Sequence, residues 1–244
     1  MYTNSPMSFA LLIIFMFIAY GLTTLCRRWV DIPTLIGVAI GCAVNANIFT
    51  PLKYPIIVGP FTFSFEVVLY TIFMYTIVVR ILDYGYQDAK KMTLTSVAAI
   101  VISAIIELFA EIAAQGFVTQ VFKNFSIYLF SSMGTIFGVW VMVVITINCR
   151  KRNISSYLII PFAIASSSLI HAIFYYGGVS LVQWQVGVYT LHLLLGALAG
   201  KSVCILISIL CYFINKKYWV PLNLIEKEVK HNPRRPDRRC NNRS

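Results

Sequence analysis

Apolar runs long enough to matter in a bilayer, separated by short polar breaks, make up most of this chain. A hydrocarbon core about 30 Å thick takes about 20 apolar helical residues to cross. Seven runs approach or exceed that length. They cover approximately Phe9–Leu25, Thr34–Thr50, Phe63–Leu82, Thr93–Gly116, Ile127–Asn148, Ser156–Tyr176 and Val186–Ile214. The pattern predicts an all-α, polytopic integral membrane helix bundle over residues 1–215, with about seven transmembrane helices, or six if the last two runs are one. The junction of those two is the least defined, because His171 to Gln185 mixes aromatic, glycine and glutamine residues. No basic residue precedes Phe9, whereas Arg27 and Arg28 follow the first run, so that run reads as a retained membrane helix and not as a cleaved leader.

Composition agrees with the pattern. The chain is 59% hydrophobic and 12% charged, with a mean hydropathy of +0.77, whereas soluble domains carry about 25% charged residues. Such a chain cannot cover itself with polar surface.

The distribution of lysine and arginine gives the orientation. Arg27 and Arg28 follow the first run, Arg80, Lys90 and Lys91 the third, and Arg150, Lys151 and Arg152 the fifth. The opposite breaks carry only Lys53 and Lys123. The positive-inside rule puts the basic breaks in the cytoplasm, so the amino terminus is expected outside and the carboxyl terminus inside. The net charge of +11 is mostly this bias plus the tail, and it carries no implication of nucleic acid. Residues 216–244 read as a basic, disordered cytoplasmic tail that includes Arg234-Arg235-Pro236-Asp237-Arg238-Arg239. Juxtamembrane clusters of this kind are drawn to anionic lipid by about 1 kcal/mol per basic residue.

Against this background two carboxylates stand out. Glu107 and Glu111 are the only charges between Met92 and Phe122. Four residues apart, they share one helix face, and Ser103 and Gln115 extend the row. An ionised acid near the bilayer centre costs at least about 2.5–3.5 kcal/mol. The row is therefore expected to face the protein interior or a water-filled cavity, either as a proton-, cation- or solute-binding site or as a structural cluster that ties helices together. Lys201, about midway along the last run, is the expected counter-charge to Glu107 or Glu111, since an embedded lysine needs a partner. Glu66, Asn47 and His192 are further candidates for a polar site, with Asn45, His171 and the run Ser166-Ser167-Ser168 nearby in depth. A neutral, hydrogen-bonded imidazole is the simpler reading of His171 and His192. Tyr175, Tyr176 and Trp184 read as an outer interfacial belt, and Trp219 as its inner counterpart.

Three glycine pairs spaced by four, Gly37–Gly41, Gly134–Gly138 and Gly196–Gly200, predict close helix packing, and Pro161 predicts a kink. The six cysteines form no CxxC pair and no zinc spacing, so reduced thiols and no metal or other cofactor are expected. There is no phosphate-binding glycine loop, HExxH or GxSxG. With short loops and no nucleophile constellation, the chain does not read as an enzyme.

The stretch Ala46-Asn47-Ile48, Lys53, Gly59-Pro60, then an apolar run closing in Asp83-Tyr84-Gly85 and Ala89-Lys90-Lys91, resembles the vitamin-uptake-like family of queuosine precursor transporters. The likeness covers roughly residues 41–92. It departs from the family pattern where Ile77 follows Thr76 and where Leu82, Asp83 and Tyr84 precede Gly85. The resemblance implies a small deazapurine or vitamin-like cargo and assigns Asn47, Lys53 and Asp83 to the family's motif.

The sequence thus points to a multi-pass transporter of a small polar solute in a bacterial-type inner or plasma membrane, with a buried glutamate protonating to couple movement to a proton. The alternative from another class is a non-transporting membrane sensor or assembly partner that acts through another subunit.

Overall fold

A computed structural model describes residues 32–48, 55–58, 61–183 and 188–214, together with Ile14, Phe17 and Ile18. The rest of the expected first span, Lys53, Trp184, Trp219 and the basic tail lie outside the described residues. The elements in order are α1 (Ile32–Ile48), a hairpin of β1 (Pro55–Val58) and β2 (Phe61–Ser64), then α2 (Phe65–Tyr84), α3 (Tyr86–Gln115), α4 (Thr119–Lys151), α5 (Ser156–Gln183) and α6 (Val188–Ile214). Among the described residues, four stretches are long and apolar enough to cross a membrane: Lys90–Gln115, Val121–Lys151, Ser156–Val182 and Leu194–Ile214.

The helix at the centre is α2. Every residue from Glu66 to Ile81 is buried, and α2 packs against all five other helices. Its sequence explains this position. Valine, isoleucine, phenylalanine and methionine occupy all sides of Phe65–Tyr84, and a helix apolar all round satisfies itself only where neighbours surround it. The long outer helices instead show large side chains outward, such as Ile106 and Phe109 on α3, Trp140 on α4 and Leu206 on α6. This is the arrangement expected where the surroundings are lipid.

The hairpin departs from the all-α expectation. Its strands pair antiparallel, with Pro55 opposite Ser64 and Val58 opposite Phe61. The β-branched and aromatic runs Pro55-Ile56-Ile57-Val58 and Phe61-Thr62-Phe63-Ser64 flank Gly59-Pro60, the punctuation that favours a turn between two strands. Phe63 and Ser64 therefore end β2 and do not open a span. Strand β2 packs along α6 and leads directly into α2.

The expected break after the third run is a single residue. Gly85, with φ 91° and ψ −178°, separates α2 from α3, in a backbone region that is essentially confined to glycine and costs other residues about 1–3 kcal/mol. Its N–H donates to the Ile81 carbonyl at 3.1 Å, and Arg150 Nη1 from the last turn of α4 donates to the same oxygen at 2.6 Å. This contact brings the Lys90–Lys91 end of α3 and the Arg150–Arg152 end of α4 to one end of the bundle, as the positive-charge pattern required. At the other end, Gly116 with φ 75° separates α3 from α4.

Helices α4 and α5 form the most extensive pair. A Cβ on Gly134 would lie 2.9 Å from Phe174 Cβ and 3.1 Å from the His171 carbonyl oxygen. One on Gly138 would lie 2.6 Å from Tyr70 Oη and 2.8 Å from Ser167 Oγ. The predicted Gly134–Gly138 packing face is therefore real. Gly196 and Gly200 are buried within α6, whereas Gly37 and Gly41 have nothing within 4 Å of an added Cβ and serve no close approach among the described residues. Pro161 lies inside α5.

Candidate functional site

The polar row on α3 is unevenly buried. Ser103 is buried, Glu107 and Glu111 are half-buried, and Gln115 is exposed. Glu111 Oε1 accepts a hydrogen bond from Asn124 Nδ2 at 3.3 Å, while Oε2 has no hydrogen-bond partner. Measured from the middle of the Lys90–Gln115 stretch, Glu107 lies about 7 Å and Glu111 about 13 Å toward the Gly116 end at 1.5 Å per residue. Glu111 thus approaches the edge of a hydrocarbon core whose half-thickness is about 15 Å. A turn at Gly116–Val118 and the first turn of α4 lie between this row and Lys123.

Lys201 does not depend on that row. Helix α6 packs on α5, α2 and β2, while α3 packs on α1, α2 and α4. The lysine, 3% exposed, donates to the Ser168 carbonyl oxygen at 3.2 Å, meets His171 Nδ1 at 3.2 Å, and sits 4.8 Å from the centroid of the Tyr70 ring. Each ammonium proton thereby has something to meet: a carbonyl, an imidazole nitrogen and a π face. On the far side of the imidazole, His171 Nε2 lies 3.5 Å from Glu66 Oε1. The carboxylate facing the Lys201 cluster is therefore Glu66, in place of the expected Glu107 or Glu111.

Each member is placed by its helix. Glu66 is in the first turn of α2, where the unpaired N–H groups favour a negative charge. His171 and Lys201 lie near the middles of α5 and α6. Because β2 runs into α2 immediately before Glu66, the end of the hairpin reaches the depth of Lys201. Non-helical backbone at such depth is tolerated where protein encloses it, and α6 covers β2.

Aromatic and hydroxyl groups close the cluster. The Tyr70 ring is 4.4 Å from the His171 ring, Tyr175 stacks on the other side at 6.1 Å, and Tyr176 meets Tyr175 edge-on at 5.0 Å. Tyr70 Oη and Ser167 Oγ share a hydrogen bond at 2.9 Å, and Ser167 Oγ lies 3.4 Å from Met74 Sδ, which can accept from it. Four buried polar atoms on α4 and α5 have no hydrogen-bond partner: Ser131 Oγ, Ser132 Oγ, Ser168 Oγ and His171 Nε2. Unmet buried donors and acceptors cost about 1–3 kcal/mol each, and a polar ligand would meet them.

The sequence reading named Glu66 and Lys201 but gave His171 only a minor place and put Tyr175 in an interfacial belt. Tyr175 is buried against His171 instead. The overlooked signal is the spacing Ser167, His171, Tyr175, a second polar stripe at four-residue intervals on α5. Asn47 and His192 fall in α1 and α6, and their side chains lie outside the described residues. Among the described residues, no three histidine, cysteine or acidic side chains group as metal ligands.

No protein-family model matches the chain, and neither a curated protein nor a solved structure is significantly similar to it.

Proposed function

We propose that this multi-pass helical membrane protein is a transporter of a small polar solute, with its working site at Glu66, His171 and Lys201. The observation that carries the reading is the meeting of an acid, an imidazole and an amine from three different helices within the apolar bundle. Ionisable groups at membrane depth are costly, and where they persist they mark solute or ion paths. Ser168, whose carbonyl oxygen meets Lys201, has a hydroxyl without a hydrogen-bond partner, which supplies capacity that the protein itself leaves unused. The proposal includes seven spans, an outer amino terminus and a cytoplasmic carboxyl terminus in a bacterial-type inner or plasma membrane. The residue 41–92 resemblance extends it to a deazapurine-like or vitamin-like cargo. The tail would then meet anionic lipid, and no chemical conversion of the solute is implied.

The test is uptake of radiolabelled guanine, adenine, biotin, thiamine and riboflavin into vesicles containing the wild type or Glu66→Gln at equal membrane levels. Accumulation of one solute by the wild type, reduced at least tenfold by the substitution, supports the site. If no solute moves in the wild type, or Glu66→Gln accumulates as the wild type does, the assignment fails. In the first case the sensor or assembly role becomes the stronger reading.

A further inference from the structure

Resting on the reading of this cluster as the working site, we infer that the ion it handles is a proton, passed between Glu66 and Lys201 through the ring of His171. The starting state is taken with Lys201 as an ammonium. An ammonium has donors only, so its 3.2 Å contact makes His171 Nδ1 the acceptor. A neutral ring accepting at Nδ1 carries its proton on Nε2. That nitrogen faces Glu66 Oε1 at 3.5 Å without forming a hydrogen bond. One link of the relay is closed. The other is open by a few tenths of an ångström, since N–H···O bonds form at about 2.7–3.2 Å.

Closing the open link allows a balanced transfer. The Lys201 Nζ–H bond breaks as a His171 Nδ1–H bond forms, and the His171 Nε2–H bond breaks as a Glu66 O–H bond forms. Lysine keeps its electron pair as a neutral amine, and the carboxylate supplies the pair for its new bond. The ring ends as the opposite tautomer, and an ammonium–carboxylate pair has become an amine and an acid with no change in net charge. The reverse sequence carries a proton from Glu66 to Lys201. A metal cation fits the same place poorly, because hard cations take several oxygen ligands and the ammonium would repel them. The titratable groups around the relay are Tyr70 with Glu66 on α2, Tyr175 and Tyr176 with His171 on α5, Cys204 with Lys201 on α6, and Tyr128 of α4 beside Tyr175. Strand β2 brings none.

The tautomer of His171 is the direct readout. The full chain would be labelled with 15N in its three histidine rings, reconstituted in phosphatidylcholine–phosphatidylglycerol vesicles and followed by solid-state NMR, with His171→Asn assigning the signal. In the wild type, the ring is expected to show both the Nε2–H form and the Nδ1–H form, in a ratio that does not follow pH because the transfer leaves the number of bound protons unchanged. Lys201→Arg keeps the positive charge but cannot release a proton, so its ring stays in the Nε2–H form throughout. Glu66→Gln, which cannot take the Nε2 proton, gives the same result should the arginine variant not fold. A wild-type ring that holds one tautomer from pH 6 to 10, or variant rings that follow the wild type, overturns the relay. Uptake by the same vesicles separates the two claims. Tautomer switching with no solute moved leaves the relay standing and removes the transport reading. Gradient-driven accumulation by Lys201→Arg at the wild-type level leaves transport standing and removes the relay.

Discussion

Replacing Gly138 with alanine places one methyl group where the candidate site touches α4. The added Cβ would lie 2.6 Å from Tyr70 Oη, 2.8 Å from Ser167 Oγ and 3.0 Å from the Ser167 carbonyl oxygen. Ordinary contact begins at about 3.5 Å, so the tyrosine hydroxyl must retreat by roughly an ångström or the helices must part. Retreat is obstructed, because Tyr70 is 2% exposed and its ring lies 4.4 Å from that of His171. Overpacking of this kind costs about 1–3 kcal/mol, and loss of the 2.9 Å bond to Ser167 adds about 1 kcal/mol. The better helix propensity of alanine returns up to about 1 kcal/mol, which leaves a net loss of about 1–3 kcal/mol. Gly41→Ala is the matched control, since nothing lies within 4 Å of its added Cβ; it should be neutral or slightly stabilising. Equilibrium unfolding in mixed micelles of increasing dodecyl sulfate fraction measures both. A cycle with Tyr70→Phe, which removes the atom at 2.6 Å, should recover about 1 kcal/mol of the Gly138→Ala loss. Equal stabilities for Gly138→Ala and Gly41→Ala would refute the argument, as would a cycle with no coupling.

The same unfolding assay tests three other positions. Arg150→Ala removes the 2.6 Å donor on the Ile81 carbonyl and should cost about 1 kcal/mol, and Arg150→Lys should not restore it if the reach of the guanidinium is what matters. Gly85→Ala forces a Cβ onto a backbone with φ 91° and ψ −178° and should cost about 1–3 kcal/mol; a loss below about 0.5 kcal/mol would show that the turn relaxes. Glu111→Gln should cost less than about 1 kcal/mol, because the amide oxygen still accepts from Asn124 and the site is half-buried. Its uptake should stay within about twofold of the wild type, whereas a tenfold loss would return the α3 row to the centre of the mechanism.

Particular residues show why the site was only partly legible. Glu107 and Glu111 drew attention because a charge in an apolar run is conspicuous in one dimension. Cost depends on depth and cover, and both relax toward the Gly116 end of α3. Glu66 lies near the start of its run and stood only among the further candidates for a polar site, yet the hairpin that precedes it carries the start of α2 inward. His171 carried little signal of its own, since a lone imidazole among serines is ordinary. Its role comes from Lys201, 30 residues away in sequence, and Glu66, 105 positions before it. The hairpin was legible in principle from its β-branched and aromatic runs about Gly59-Pro60, but the reading gave hydrophobic length priority over strand period.

Hydrophobic run length determined that the chain forms helices long and apolar enough to cross a membrane, and lysine and arginine placement anticipated that the Lys90–Lys91 and Arg150–Arg152 breaks share an end. Those properties are sums over local positions, and the bilayer reads them much as they stand. The glycine pair on α4 belongs partly to this class, because small residues at helical spacing announce a packing face. Which lysine meets which acid is a different kind of fact. It depends on α2 being surrounded on every side and on α6 lying against α5 and α2 while α3 lies elsewhere. Helix order in space is settled by the joint packing of all the faces at once, and no single stretch of sequence contains it.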